Sequence, residues 1–480
     1  MQRINRHLFF KWQVLAALLL AAQLSTALHA AEPAQPVGAS WPPPLLGAVN
    51  GTVTLTTDDF LKVPTAVEAL RAKAGATPFV VAAKAPTVEL TYHRGLPDAA
   101  LNGTGWSAWG DICVASDGKV YSGIGDHGDN AGQGRSYIYC WAPATRVLKQ
   151  VVNINAVARP GPGDITWSKV HAGIQEGKDG KIYFSCTLND GGQSFKTKWT
   201  PNVPGGQLFE YNPKTGKTRI IGHFSGEVTP TTLIDRRRNI LYANLEGKTG
   251  PGDIALSAFD LNKRKVIYHS AHDAVTASRN LALGRDGTVY FNGQDGLWKY
   301  NPNTRTIAPT RSAFPDKLSM RSSTRESAQG YIYGTTMLNG NPGIPGFFFR
   351  YAPKTDKLDI LGHDFLSGDY TTVSVLSPDD RFVYYLPGAH GSSIAMGTPV
   401  VQHEIATGRQ KVLAFLKDAV EKTTGYVPGG TYGIKLNADG STLYVNFNGH
   451  AREDLRLEKM TPSGFGLTAF AAIHIPASER

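Results

Sequence analysis

The sequence has few of the residues that build covalent frameworks or membrane spans. Among its 480 residues are only three cysteines, Cys113, Cys140 and Cys186, with no Cys-x-x-Cys pair. An odd number of widely spaced cysteines is not a disulfide framework, so we expect buried free thiols, although a bridge between Cys113 and Cys140 stays open. Beyond the amino-terminal segment no run of eighteen apolar residues occurs, so no membrane insertion is expected.

Several catalytic signatures are absent as well. The chain has no Gly-x-Ser-x-Gly elbow, no Walker loop and no His-x-x-x-His pair. These absences give no support to a serine nucleophile, to nucleotide chemistry or to a standard zinc motif.

The first thirty residues have the composition of a secretory signal. Arg3, Arg6 and Lys11 form a basic start, Trp12–Leu24 is mostly Ala and Leu, and small residues follow at Ala27–Ala31. The apolar core is too short to span a bilayer, so a cleaved signal is the better interpretation. We therefore expect residues 1–30 to be removed and the protein to be secreted or periplasmic.

The charge of the chain is basic but scattered. Removing residues 1–30 takes away three Lys/Arg and no acid, which lowers the net charge from +10 to +7. Lys/Arg residues form a run at Arg236–Arg238, which we interpret as a solvated turn. Without a continuous basic stripe, nucleic acid is not expected as a partner. An acidic extracellular polysaccharide fits both the charge and the compartment.

What the sequence does have is a sevenfold repeat between residues 107 and 460. Each copy joins a strand of small residues, a tight polar turn and a strand with Tyr at a nearly fixed place. The turns and tyrosines are Ser116–Tyr121, Lys178–Tyr183, Arg236–Tyr242, Arg285–Tyr290, Ala328–Tyr333, Pro378–Tyr384 and Ala438–Tyr444. Asp-Gly turns, and a second turn such as Asn212–Thr215 that follows six of the copies, favour hairpins because Gly accepts positive φ and Pro fixes φ near the turn value. Two hairpins per unit, repeated seven times, predict an all-β chain folded as a seven-bladed β-propeller of four-stranded antiparallel blades.

The two ends of the chain are expected to meet in one blade. Residues 31–85 form a short N-terminal extension in this interpretation, with a short helix at Pro64–Ala74, and residues 86–480 form the propeller. The last unit lacks a clear fourth strand, and residues 86–93 alternate as a strand does. We expect this segment to close the last blade and to remove an open sheet edge. The propeller is expected to be a monomer.

Residues that break the repeat are expected on one face of the propeller. Because strands alternate in direction, the start of each first strand and each loop after strand two lie opposite the Asp-Gly turns. These positions carry His127, His171, His390, His450, Arg279, Arg321, Tyr370, Tyr432, Asn448 and Trp109. Polar loop residues on a rigid scaffold are a usual arrangement for a site, although a single His in a Gly-rich loop often only bonds a carbonyl. Trp109 could stack on a sugar or pack between blades, and Asp111 and Asp126 are interpreted as structural.

This set of side chains suits elimination better than hydrolysis. A glycosidase normally needs two Asp/Glu across the scissile bond, and this face offers few. Eliminative cleavage of a uronate needs a cation to neutralise the carboxylate, a base to remove the C5 proton and an acid to protonate the leaving O4. Arg suits the first role, His the second, and Tyr or a second His the third.

The chain also resembles the propeller polysaccharide lyases, that is, the ulvan lyases and oligogalacturonate lyases. The resemblance rests on Trp106–Ile112, Gly125–Gly128, His171–Ile174 and Lys178–Phe184, and in architecture it spans most of residues 100–475. It implies a catalytic His/Tyr set with an Arg neutraliser, and it matches His127 and His171 to the histidines. Trp199 stands where the family's aromatic hydroxyl is expected, which moves the acid role to Tyr370 or Tyr432.

The prediction is thus an exported lyase that cleaves a uronate-containing polysaccharide. Its catalytic residues are predicted to be His127, His171, Arg321 and Tyr432. Its substrate-binding residues are predicted to be Arg279, Tyr370, His390, Asn448, His450 and Trp109. Two alternatives stay open: a noncatalytic propeller that binds glycans or a cell-surface partner, and a metal-dependent lactonase-like hydrolase. The cofactor is unknown, and a structural divalent metal is allowed.

Overall fold

The computed structural model describes residues 41–73, 76–97, 105–126, 134–161, 166–186, 205–225, 228–246, 254–315, 318–338, 346–367, 370–389, 391–455 and 465–480. Within them the chain forms seven sheets, which are the blades of a seven-bladed β-propeller. This confirms the fold that the sevenfold repeat predicts. In the same residues, no helix combines the length and the apolar character that a membrane crossing requires.

The elements follow one another along the chain as the repeat predicts. Before the first blade the chain forms β1 (Thr52–Thr56), a 3-10 turn (Asp58–Leu61), α1 (Thr65–Arg71), β2 (Phe79–Val81) and β3 (Thr87–Tyr92). Blade 1 contains β4 (Cys113–Val114), β5 (Val120–Gly125), β6 (Ser136–Ala142) and β7 (Val147–Asn153), and α2 (Ile154–Ala158) follows it. Blade 2 contains β8 (Gln175–Glu176), β9 (Ile182–Ser185), β10 (Gly205–Asn212) and β11 (Lys217–Ser225).

The middle blades have the same four-stranded form. Blade 3 contains β12 (Val228–Asp235), β13 (Ile240–Glu246), β14 (Ile254–Asp260) and β15 (Lys265–His269). Blade 4 contains β16 (Ala277–Leu283), β17 (Val289–Gly293), β18 (Gly296–Asn301) and β19 (Thr306–Pro309). Blade 5 contains β20 (Leu318–Met320), β21 (Ile332–Leu338), β22 (Phe347–Ala352) and β23 (Lys357–His363), and a 3-10 turn (Phe365–Ser367) follows.

The last two blades carry helices and end at the carboxyl terminus. Blade 6 contains β24 (Ser374–Leu376), β25 (Phe382–Tyr385), α3 (Ser392–Ala395), β26 (Pro399–Glu404) and β27 (Gln410–Phe415). After α4 (Lys417–Thr424), blade 7 contains β28 (Tyr426–Leu436), β29 (Thr442–Ala451) and β30 (Leu467–His474), with 3-10 turns at Glu453–Leu455 and Ala477–Glu479.

The ring closes by pairing the two ends of the chain. Strand β3 lies antiparallel to β30, with Thr87 opposite His474, so the prediction that residues 86–93 supply the fourth strand of the last blade is confirmed. Strand β1 pairs with β3 and gives blade 7 a fifth strand. Strand β2 runs parallel to β27 and does the same for blade 6. These fifth strands come from the predicted N-terminal extension, and α1 lies inside its predicted helix.

The repeated tyrosines lie between the blades. Each lies in or at the start of the second strand of its blade and is at most 4% exposed: Tyr121, Tyr183, Tyr242, Tyr290, Tyr333, Tyr384 and Tyr444. Burial raises the pKa of each of these phenols above its ordinary value. Their rings pack on the next blade, as Tyr121 does on Tyr211, with 6.0 Å between ring centroids. The repeat therefore preserves Tyr for inter-blade packing.

The Asp-Gly turns are held by the blade that follows. Glu176 of blade 2 accepts hydrogen bonds from the backbone N–H and the hydroxyl of Ser116 in the blade 1 turn, at 3.0 and 2.6 Å. The same contact recurs at three further joints, where Asn239 accepts from Lys178, Glu326 from Arg285 and Asp380 from Ala328. This face is structural, as the repeat predicts.

The three cysteines are buried free thiols. The bridge between Cys113 and Cys140 that the sequence left open is not formed. Both residues lie opposite Tyr121, because β5 runs between their two strands. Neighbouring strands are about 4.8 Å apart, so these Cα atoms lie roughly 10 Å from each other, which is too far for a disulfide.

Candidate functional site

A cavity of about 610 Å³ lies along the propeller axis, lined by residues of all seven blades. Its volume is within the range of small-molecule sites. The first strands run along its wall from one mouth towards the Asp-Gly turns. At the mouth opposite those turns the lining includes Trp109, His171, Asn280, Arg321 and Tyr432.

Arg321 lies between two phenol rings at this mouth. Its guanidinium carbon is 5.1 Å from the ring centroid of Tyr370 and 5.8 Å from that of Tyr432. Its Nη1 donates to the carbonyl of Thr372 at 3.0 Å, and the residue is only 5% exposed. A cation held by aromatic faces and a carbonyl in a buried place is already oriented before a ligand arrives.

A local irregularity directs Arg321 towards the channel. It follows β20 directly, and the backbone N–H groups of Arg321 and Ser322 both donate to the carbonyl of Thr335, at 2.8 and 3.1 Å. Two consecutive residues therefore oppose one residue of the partner strand. Such bulges re-aim side chains, and they are frequent beside active sites.

A second bulge positions Tyr432. The register of β28 against β29 shifts between Thr431 and Gly433, and the Thr431 hydroxyl accepts from the N–H of Gly433 at 3.0 Å. A side chain at Gly433 would come within 2.8 Å of Ile112 in blade 1. Glycine is therefore needed for the close approach of the two blades that brings Tyr432 to the channel mouth.

Trp109 packs against several side chains at this mouth. Its indole centroid lies 4.7 Å from the ring of Tyr432, 5.1 Å from the stacked ring of Phe465, 6.3 Å from the ring of His171 and 4.2 Å from Nζ of Lys169. The indole N–H donates to Ser107 Oγ at 2.7 Å. Of the two roles that the sequence allows for Trp109, these contacts support packing between blades.

Five of the ten predicted site residues meet at this mouth: His171, Arg321, Tyr370, Tyr432 and Trp109. They come from blades 1, 2, 5, 6 and 7, so the fold unites segments that are far apart in sequence. His127 and His390 lie outside the described residues. The backbone of Arg279 lies in β16, and its side chain is outside the described part of the structure. Their roles stay predictions.

Asn448 and His450 do not join the site. The predicted loop at Asn446–His450 is strand, since β29 continues to Ala451 and pairs with β30 there. Asn448 is fully buried; its Oδ1 accepts from the N–H of Ala108 at 2.7 Å and its Nδ2 donates to the carbonyl of the same residue at 2.8 Å. Both ends of its amide therefore join blade 7 to blade 1, and Asn448 is not part of the channel lining, so its substrate-binding role stays a prediction. His450 has its Nδ1 2.9 Å from the carbonyl of Ala451 and is not part of the channel lining.

Asp111 and Asp126 make the structural contacts that the sequence analysis expects of them. Oδ1 of Asp111 accepts from the backbone N–H groups of Ile112 and Ile434, at 2.9 and 3.1 Å. Asp126, which is 1% exposed, accepts from the N–H of Arg135 at 2.8 Å and from its Nε at 2.6 Å. Both join neighbouring strands, as expected.

Sequence reasoning missed Lys169, Phe465 and Lys435. Lys169 stands two residues before His171, so strand alternation could have placed both side chains at the mouth. No pattern in the sequence points to Phe465, which lies two residues before β30. Lys435 lines the channel beyond Tyr432 and pairs with Asp111.

The channel carries more basic than acidic side chains. Its described lining has two carboxylates, Asp111 and Glu176, and four cations, Arg236, Arg321, Arg325 and Lys435, besides His171. Lys435 pairs with Asp111, Arg236 with Glu176 at 3.0 Å, and Arg325 with Asp380. A cleft lined mainly by one sign of charge concentrates ligands of the opposite sign. The lining therefore favours an anionic ligand.

Metal ligands are not grouped in the described residues. Among them, no cluster of three or more His, Cys, Asp or Glu side chains could hold a metal ion. His127 and His390 lie outside that set. A structural divalent metal stays a prediction, and the described residues assign no site to it.

No protein-family model and no curated protein matches the chain. Among solved structures the chain is similar to an oligogalacturonate lyase in complex with manganese, at 13% identity and a TM-score of 0.47, over 83% of this chain and 96% of that one. It is also similar to an oligogalacturonate lyase from Vibrio parahaemolyticus, at 12% identity and a TM-score of 0.48, over 84% of this chain and 97% of that one. A chain of the mitotic checkpoint complex is similar at 11% identity and a TM-score of 0.49, over 80% of this chain and 93% of that one. Since proteins of unrelated activity match equally well, these likenesses carry no argument about activity.

Proposed function

We propose that the protein is an exported polysaccharide lyase that cleaves an acidic, uronate-containing polysaccharide by β-elimination. The observation that carries this proposal is the buried guanidinium of Arg321, held between Tyr370 and Tyr432 at the mouth of a channel with a basic lining. Export rests on the composition of residues 1–30.

Arg321 has the role of neutralising the uronate carboxylate. Removal of the C5 proton puts negative charge next to that carboxylate, so a fixed cation stabilises the transition state more than the ground state. Because the guanidinium is 5% exposed, bulk water screens its interaction with a bound carboxylate weakly. Its fork of N–H donors also matches the geometry of a carboxylate.

His171 and Tyr432 supply the base and the acid. Both rings contact Trp109, one from blade 2 and the other from blade 7. His171 suits the base because imidazole titrates near neutral pH. Tyr432 suits the acid because its phenol can donate a proton to the leaving O4, and its neighbour Arg321 binds the same substrate unit.

The carboxylates of the channel do not support the hydrolytic alternatives. Among the described lining residues, Asp111 is held by two backbone amides and Lys435, and Glu176 by Ser116 and Arg236. Neither is placed as one of an acid and base pair across a scissile bond. A lactonase-like metal site would need acidic ligands that are not already engaged in this way.

The proposal is tested by incubating the protein with a panel of acidic polysaccharides, including polygalacturonate, alginate and ulvan. Elimination creates a C4–C5 double bond, so ultraviolet absorbance should rise with at least one polymer. His171→Ala should abolish the rise, because no base remains to remove the C5 proton. His223→Ala is the control, since His223 is an exposed histidine on the outer strand β11 of the same blade.

Each alternative gives its own result in this assay. Affinity for a polymer without any absorbance change would replace the lyase with a noncatalytic glycan-binding propeller. Loss of a hydrolytic activity on adding a chelator would favour the lactonase. Neither cleavage nor binding across the panel would reject an acidic glycan as the ligand.

A further inference from the structure

A second charged group lies inside the channel, beyond the residues that the proposed reaction uses. Lys435 and Asp111 form an ion pair across the joint between blades 7 and 1, and both line the cavity. Asp111 follows Trp109 by two residues, and Lys435 follows Tyr432 by three. The pair therefore lies deeper in the channel than the mouth. The side chains are 33% and 30% exposed.

Asp111 is fixed by the backbone. Its Oδ1 accepts from the N–H groups of Ile112 and Ile434, and its Oδ2 accepts from Nζ of Lys435. Three donors therefore hold this carboxylate in one position. A carboxylate anchored by backbone amides is a rigid support for the ammonium group that it bonds.

Lys435 keeps one donor for a ligand. Of its three N–H groups, one bonds Asp111 and another lies 3.3 Å from the carbonyl of Ile434. Among the described residues the third has no partner, and the open space beside it is the channel. Residues three apart normally point to opposite sides of a strand. The bulge at Thr431–Gly433 accounts for the presence of both Tyr432 and Lys435 in the channel lining.

We propose that Lys435, positioned by Asp111, is a second oxyanion-binding residue of this site, and that it takes the acidic group of a second ligand unit while Arg321 takes the first. This inference rests on the proposed function, because it requires an acidic ligand in the channel. The ligand is then a chain with two neighbouring acidic units rather than a single uronate. Holding a flexible lysine in place lowers the ordering cost that its binding otherwise carries.

The test compares ligands that carry one acidic group with ligands that carry two. Galacturonic acid and digalacturonic acid are titrated into the wild type, Lys435→Met and the control Lys181→Met. NMR or calorimetry measures the binding. Lys181 is also paired with acids, at 2.8 Å from Asp179, but it is not part of the channel lining. Lys435→Met should weaken binding of the two-acid ligand about tenfold, the usual range for a lost charge-assisted hydrogen bond. It should leave the one-acid ligand nearly unchanged, and Lys181→Met should change neither.

If Lys435→Met fails to fold, Lys435→Gln gives the same comparison, since the amide can still bond Asp111. Equal loss for both ligands, or no loss, overturns the role of Lys435 and leaves the lyase proposal standing. If the wild type binds no uronate at all, the lyase proposal fails, and inorganic sulfate then decides. Sulfate that binds the wild type and is lost in Lys435→Met keeps Lys435 as an oxyanion-binding residue. If sulfate does not bind the wild type, or if it still binds Lys435→Met, the oxyanion-binding role of Lys435 is overturned.

Asp111→Asn tests the positioning role. The amide can still accept from Ile112 and Ile434, but it no longer holds the ammonium by charge. The two-acid ligand should bind more weakly although the channel has gained one positive charge. A rise in affinity would show that Asp111 only repels the ligand, and it would overturn its role in positioning Lys435.

Discussion

The Asp-Gly face of the propeller repeats itself from blade to blade, whereas the mouth on the opposite face does not. On the first face, carboxylate or amide acceptors of one blade hold the turn of the previous blade, as Glu176 holds Ser116 and Glu326 holds Arg285. At the mouth each blade contributes a different side chain, such as Trp109, Arg321 or Tyr432. The contacts on the Asp-Gly face hold neighbouring blades in fixed positions. A rigid ring of blades can then hold different side chains close together at the mouth. The comparison predicts that substitutions on the two faces separate activity from stability.

The largest effect is expected at Arg321. Arg321→Met should lower the proposed lyase activity about 10³-fold, because in the proposed mechanism Arg321 neutralises the substrate carboxylate. Arg350→Met is the matched control, since Arg350 also lies over a tyrosine ring, at 4.9 Å from that of Tyr331, but on the outer side of blade 5. Initial rates and melting temperatures are measured for both variants. Equal activity in the two would remove the distinction between the faces.

The next largest effect separates the two tyrosines of the mouth. Tyr432→Phe should lower activity about 10²-fold, because in the proposed mechanism this phenol protonates the leaving oxygen. Tyr370→Phe keeps the ring that packs on Arg321 and should retain nearly full activity. The initial rates on the best polymer of the panel check this. The reverse result would give the acid role to Tyr370.

On the Asp-Gly face the effect should appear in stability. Glu176→Ala removes the acceptor for the backbone and hydroxyl of Ser116 and the partner of Arg236, and should lower the free energy of unfolding by about 2 kcal/mol. Activity per folded molecule should not change. Urea unfolding and initial rates measure the two quantities. Asp454→Ala, which breaks an exposed ion pair with Arg452, should lower the free energy of unfolding far less than Glu176→Ala does. A variant of Glu176 that stays stable but loses activity would contradict a purely structural face.

The smallest effect concerns pH at the closing seam. His93 is fully buried, with Nε2 3.2 Å from Ser122 Oγ, and burial lowers its pKa from 6.5 to about 4. The unfolded chain therefore binds a proton between these values while the folded chain does not, so stability is complete above pH 6.5 and falls as the pH drops towards 4. Between pH 7 and 5.5 the loss should be roughly 1 kcal/mol. His93→Asn should show a shallower dependence in urea unfolding. An unchanged slope would contradict the assignment.

The sequence predicts much of this fold because its signals are local. Asp-Gly turns and a buried Tyr occur in each unit, and the alternation of strand direction then places Arg321 and Tyr432 on one face. The extra strands β1 and β2 were not predicted, because such short segments acquire strand structure only from the blades that they join.

The site was predicted less well because it depends on irregularities. The bulge at Thr431–Gly433 lets Lys435 reach the channel, and no composition signal marks it. Asn448 was expected in a loop at Asn446–His450, but β29 spans Thr442–Ala451 and includes this segment. Long-range pairing decides both features, and a single sequence does not show it.

The pairing of β3 with β30 also sets an order of events during synthesis. β3 precedes blades 1 to 6 in the chain and β30 follows them, so β3 must wait for its partner until these blades have been synthesised. Closing so large a loop is slow compared with forming the local hairpins of each blade. Tyr432 belongs to blade 7, so the mouth is complete only when this blade has been synthesised. A nascent chain that ends before β30 therefore lacks the closed ring that holds the residues of the mouth together.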